Sequence, residues 1–87
     1  VFVRNQNQSE IRLVLLRRGG DRETLGVLGP RQADVYAVSW PREEVLTLDL
    51  ELLGGFRYRV PPLRVSPGDQ VDVIVAPDVR RTTLFRR

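Results

Sequence analysis

The chain has 87 residues, 41% of them hydrophobic and 29% charged, with no Cys, His or Met. That is room for one modest core in one small domain, and the composition is that of a folded chain rather than a disordered one. All fourteen basic residues are Arg, set against eleven acids for a net charge of +3. Thiol nucleophiles, His-based triads and His or Cys zinc sites are therefore excluded, and a charge this mild and interspersed is not the basic stripe of a nucleic-acid binder. The Arg bias itself has two explanations, phosphate recognition by guanidinium forks or a genomic base composition favouring Arg codons.

In chain order, residues 1–5 (VFVRN) make a short first strand, and the polar NQNQSE that follows is a connection. Residues 11–16 alternate in the manner of a strand until Gly19-Gly20-Asp21 breaks the run, and residues 25–28 continue after it, closed by Gly29-Pro30. A three-residue turn Gly19-Gly20-Asp21 would set Leu15 opposite Leu25, Leu13 opposite Val27 and Arg17 opposite Glu23, a register chosen by charge pairing. Residues 35–39 form the next strand, ended by Trp40-Pro41.

The longest run, 45–53, leads through Gly54-Gly55 into 56–60, and its register is decided by sorting. A two-residue Gly54-Gly55 turn would put Leu52 opposite Arg57 and Leu50 opposite Arg59, mixing apolar and charged side chains on one face. A three-residue turn Leu53-Gly54-Gly55 instead matches Leu52 with Phe56, Leu50 with Tyr58 and Leu48 with Val60. On the other face it matches Glu51 with Arg57 and Asp49 with Arg59. Asp49 and Glu51 lie about 7 Å apart along the strand, within the span of an inverting glycosidase pair, but neighbouring guanidiniums lower a carboxyl pKa where a general acid needs it raised. They are expected to be cross-strand partners on a wet face.

Pro61-Pro62 must take the chain out of a sheet interior, at an edge or on the way between sheets. Leu63–Val65 and Val71–Val75 are the last core strands, joined by Ser66-Pro67-Gly68-Asp69, a β-turn with Pro at the second position and Gly at the third. The expected architecture is all-β, an antiparallel sandwich of about seven strands over residues 1–79, with residues 80–87 a basic tail or an edge strand.

Few side chains are left to carry function. Trp40 is either an interface anchor or a plug at one end of the core. The terminal PDVRRTTLFRR gathers Arg80, Arg81, Arg86 and Arg87 around Phe85, suited to docking on an acidic protein or an anionic membrane surface, or else an edge strand kept soluble by Arg. With Tyr36 these are the candidate partner-binding residues. The double glycines precede no helix and there is no Lys for a phosphate loop, no Ser has a His base, and no calcium-loop spacing occurs, so neither a catalytic residue nor a cofactor or metal site is expected.

LGVLGP, the strand ending in Trp40, LTLDLELLGG, and VSPGDQVDVIVAP together resemble a pattern of small immunoglobulin-like β-sandwich domains in exported bacterial envelope proteins and lipoproteins. The last element rests on Val65, Pro67, Gly68, Asp69, Val71, Val73 and Val75, and the likeness spans most of residues 10–77. It implies a non-catalytic accessory module on the periplasmic or extracellular side of a membrane. Its partners would be other protein subunits, one setting being a photosynthetic reaction-centre and light-harvesting assembly. A first residue other than Met fits a secreted chain with its signal peptide removed. Two alternatives from other classes are an OB-like nucleic-acid-binding barrel using Arg57, Tyr58 and Arg59, and a glycan-binding module using Trp40 and Tyr36.

Overall fold

In the computed structural model, residues 1–17, 19–52 and 54–87 are described. Their nine strands are β1 (Phe2–Asn5), β2 (Ile11–Arg17), β3 (Arg22–Leu28), β4 (Ala33–Val35), β5 (Glu44–Leu52), β6 (Arg57–Arg59), β7 (Leu63–Val65), β8 (Val71–Val75) and β9 (Thr83–Arg86). A single 3-10 turn, Val79–Arg81, joins the last two. One sheet has the order β4-β1-β8-β9, and the other β3-β2-β5-β6 with β7 also on β5. The fold is all-β, two sheets packed on each other.

Alternation accounts for the packing. Ile11, Leu13 and Leu15 of β2, Leu46, Leu48 and Leu50 of β5, and Val71, Val73 and Val75 of β8 are each at most 2% exposed and meet in one core with Val3, Val60 and Val65. Every second residue of these strands points inward, the period that a half-buried sheet requires. Each such side chain contributes roughly 1.5–3 kcal/mol by leaving water.

Nine strands are found among the described residues where about seven were expected. The C-terminal arm is not a loose tail: β9 pairs with β8 from Val71↔Arg86 to Ile74↔Thr83. Pro61-Pro62 interrupts one sheet edge, so β6 and β7 pair separately with the two halves of β5. The sandwich is also not wholly antiparallel, because β1 runs parallel to β8, with Val3 beside Val73. A parallel pair needs a long crossover, and here the entire five-stranded sheet lies between its members in sequence.

Three further expectations are corrected. Strand β4 is residues 33–35 rather than 35–39: its ladder with β1 ends where Val1 and Tyr36 exchange backbone hydrogen bonds, and the chain then turns inward to bury Trp40. The NQNQSE segment is the connection expected, exposed at Gln6, Gln8 and Glu10, but its two asparagines are buried and act as a brace. Asn5 Nδ2 donates to the carbonyls of Ser9 (2.9 Å) and Gly29 (3.1 Å), and Asn7 Nδ2 to that of Pro77 (2.9 Å), tying the β1–β2 crossing to the ends of β3 and β8.

The third is the first hairpin. Its register is Leu16↔Arg22, Leu15↔Glu23 and Val14↔Thr24, then shifts to Leu13↔Gly26 and Ile11↔Leu28. Gly19 and Gly20 both take positive φ (94° and 88°), as do Gly54 and Gly55 (94° and 88°). The Arg17 N–H donates to Asp21 O as the Leu52 N–H donates to Phe56 O. The two hairpins thus share one turn, in which the double glycine fills the left-handed positions. The extra residue Leu25 then makes a bulge that lets both Leu25 and Leu28 reach the core. Arg17 and Glu23 still come within 3.8 Å, diagonally.

In the second hairpin the expected register is found: Asp49↔Arg59, Leu50↔Tyr58 and Glu51↔Arg57, with Val60 N–H donating to Leu48 O. Leu53, the first residue of the expected turn, lies outside the described residues. The Ser66–Asp69 turn is also as expected, with Gly68 at φ 86° and Asp69 N–H donating to Ser66 O at 3.1 Å.

Candidate interaction surface

Residues paired across a sheet share a face, so the register builds the surface directly. On the outer side of the four-stranded sheet one row runs Val35, Phe2, Asp72, Phe85, and the next runs Ala33, Arg4, Ile74, Thr83. Val35 is 67% exposed, Phe85 40% and Ile74 38%. Three large apolar side chains thus stand exposed on one sheet face, a feature of interaction surfaces when they are contiguous.

Arginines bracket the centre of this face. The guanidinium carbons of Arg4 and Arg87 lie 5.9 and 5.6 Å from the Phe2 ring centroid, within cation–π range. Arg87 Nε also donates to Asp72 Oδ2 at 2.8 Å. The other carboxylate oxygen, Asp72 Oδ1, is buried with no protein hydrogen-bond partner among the described residues. The middle of the face is therefore closed by Arg87 lying over Asp72 and Phe2.

The candidate residues from the sequence are divided by the fold. Phe85 and Arg87 lie on this face. Tyr36, Trp40 and Arg87 line one open cleft of about 320 Å³ at its end, together with Phe2, Val35 and Val38. Trp40 itself is only 7% exposed, and its indole N–H donates to Ser66 O at 2.6 Å, so it plugs the core and offers a partner little more than an edge. That removes the main aromatic platform of a glycan-binding reading. Tyr36 is half-buried with its ring over Gly26, and burial, then the Asp34 carboxylate, hold its phenol above the ordinary value.

Arg80 and Arg81 are elsewhere, on the 3-10 turn. Asp78 caps that turn and accepts from the Arg80 backbone N–H at 3.1 Å, a bond that holds its carboxyl below the usual range. Arg86, opposite Val71 at the sheet's end, lies 3.8 Å from Asp69. The five basic and aromatic residues of the C-terminal arm are thus spread over three places.

Sequence reasoning missed Phe2, Val35 and Ile74. Their signal was outward phase: each stands at an apolar position one residue out of step with the buried Val3 and Val73, but only the β4-β1-β8-β9 pairing brings them together.

The second face, outside the five-stranded sheet, is charged. Asp49 is 7% exposed beneath Arg59, whose Nε and Nη2 donate to its two oxygens at 2.8 and 3.2 Å, and Arg22 approaches to 3.6 Å. The hydrogen bond to Asp49, and then its charge, hold the Arg59 guanidinium more firmly protonated. The wet face expected for Asp49 is in fact covered by guanidiniums. Tyr58 points to the opposite side, its hydroxyl donating to Arg80 O at 3.0 Å, so it forms no stacking platform with Arg57 and Arg59.

Among the described residues no group of three or more His, Cys, Asp or Glu side chains is placed to hold a metal, and no helix is long and apolar enough to cross a membrane. Comparison with protein-family models, with curated proteins and with solved structures finds no match for this chain.

Proposed function

We propose that the chain is a small immunoglobulin-like β-sandwich acting as a non-catalytic protein–protein interaction module, a structural accessory subunit of an extracytoplasmic or membrane-associated bacterial assembly. The observation that carries this is the outer face of the four-stranded sheet, where Val35, Ile74 and Phe85 stand exposed beside a half-buried Phe2. Burying them against a partner would supply the apolar part of an interface, with Arg4 and Arg87 stacked on Phe2 between them.

The sheet edges favour face-on docking over strand addition. Strand β4 has three residues and β9 four, β3 carries a bulge, and Pro61-Pro62 breaks the remaining edge. Two facing sheets, with β8 after the Ser66–Asp69 turn paired on both sides, support the sandwich part of this reading. The strand order departs from the constant-type arrangement: β2 and β3 pair within one sheet where strands B and C lie in opposite sheets, and β1 pairs with β4 and, in parallel, with β8 rather than with β2.

The test is gentle isolation from native membranes in mild detergent. Co-purification in a fixed ratio with membrane or envelope proteins is the expected result, and a chain that comes away alone sinks the subunit reading.

A further inference from the structure

The outer face of the five-stranded sheet carries five strand arginines, Arg12, Arg22, Arg57, Arg59 and Arg64, against the two strand acids Asp49 and Glu51. The surplus of three equals the net charge of the whole chain. At the margin Glu43 pairs with Arg64 and Glu10 lines the depression beside Arg12, so the surplus over the whole face is smaller than the strand count.

Three of these arginines form a ladder along one edge. Arg57 pairs with Glu51, Arg59 with Asp49 and Arg64 with Val45, and these β5 residues all face outward. Arg57 and Arg59 are therefore about 7 Å apart, and Arg57 to Arg64 spans about 20 Å, by the rise of a strand. Each is held by an acid, Arg57 by Glu51 at 3.7 Å, Arg59 by Asp49 at 2.8 Å and Arg64 by the marginal Glu43 at 2.7 Å. Yet their side chains remain 70%, 65% and 73% exposed. A guanidinium has five N–H donors, so these pairings fix its direction while leaving others free. Arg12, across from Glu51 on the other side, has no ion-pair partner among the described residues.

We propose that this face docks an extended acidic segment of a partner protein, whose carboxylates at alternate positions meet Arg57, Arg59 and Arg64. Side chains two apart on an extended chain repeat at about 7 Å, the Arg57–Arg59 interval, and Arg59 to Arg64 is about two such repeats. Two open depressions lie at the ends of the face, one lined by Glu10, Arg12, Glu51 and Arg57 and the other by Val45, Thr47 and Arg64. Among the described residues no aromatic side chain lies on it, since Tyr58 points inward, which leaves single-stranded nucleic acid without a stacking partner. This docking is independent of the apolar face on the opposite sheet, so either can fail without the other.

The experiment titrates the full chain with a labelled peptide of four Glu-Thr repeats, with a Gln-Thr peptide and oligothymidylate as comparators. Saturable binding of the Glu-Thr peptide is expected, about tenfold weaker at ~0.2 M than at ~0.02 M salt, with none to the Gln-Thr peptide. Arg57→Gln combined with Arg64→Gln should weaken it about fivefold or more. Arg12→Gln, at a residue with no ion pair to lose among the described residues, should weaken binding about twofold at an unchanged Tm and guards against a fold defect in the double variant. No saturable binding at low salt, or binding indifferent to these substitutions, overturns the proposal. Tighter binding of oligothymidylate through the same arginines overturns it in favour of a nucleic-acid surface.

Discussion

The two hairpins, β2–β3 and β5–β6, are built on the same turn and arrive at different structures. Each places a double glycine at φ 94° and 88°, and each closes with the same backbone hydrogen bonds. Beyond the turn, β5–β6 continues in plain register, and its outer carboxylates meet their arginines directly. In β2–β3 the ladder slips at Leu25, and Arg17 and Glu23 meet only diagonally. The turn thus sets where a hairpin starts, and the apolar residues beyond it decide how the ladder continues. Leu25 and Leu28 are three apart, a spacing no period-two strand can bury on one face without a bulge.

The largest difference between the hairpins should appear in the core. Leu50→Ala, at a fully buried site in β5, is expected to cost about 2–5 kcal/mol in denaturant unfolding, whereas Leu25→Ala, half-buried at the bulge, should cost only about 1 kcal/mol. Equal costs would mean that the bulged arm is packed as tightly as the regular one. The shared turn predicts a match instead: Gly20→Ala and Gly55→Ala, both at φ 88°, should each destabilise by about 1–2 kcal/mol. A cost at only one of them would separate turns that here look the same.

Charge should separate the hairpins again. Asp49→Ala leaves Arg59 and Arg22 around a vacated site and should lower Tm clearly, while Glu23→Ala removes a 3.8 Å contact from a side chain 54% exposed and should leave Tm unchanged. A change in titration is expected at Gly26, next to the Leu25 bulge, where an added Cβ would stand 2.9 Å from Tyr36 Cε1. Gly26→Ala should displace the ring toward solvent and bring the phenol's pKa down toward its ordinary 10.0 in an ultraviolet titration. The sign follows from the raised folded-state value. Tyr36 keeps its proton to higher pH when folded, so its contribution is fully present below 10.0 and is lost as pH rises through the folded value.

Much of this fold was legible in the residues because face sorting is local. Leu48, Leu50 and Leu52 against Asp49 and Glu51 admit one register with Phe56 to Val60, and it is the one found. The first hairpin was misjudged because Val14 and Leu16 make both faces of β2 apolar, so charge pairing was given the decision. An exposed ion pair is too weak to set a register against two buried leucines. Asn5 and Asn7 read as loop residues because their partners, the carbonyls near Gly29 and Pro77, are far away in sequence. The apolar face was hidden for the same reason. Phe2, Val35, Ile74 and Phe85 come from four strands, and nothing in one strand announces its neighbours.

The measurement that bears most directly on the docking face is site-specific photo-crosslinking in native membranes. A crosslinking side chain placed at position 35 or 85 should trap one and the same partner protein, while the control at position 21, in the loop after the double glycine, should trap none. Crosslinks from position 21 with none from 35 or 85 would contradict the account, and the outer face of the four-stranded sheet would then not be where this module meets its partner.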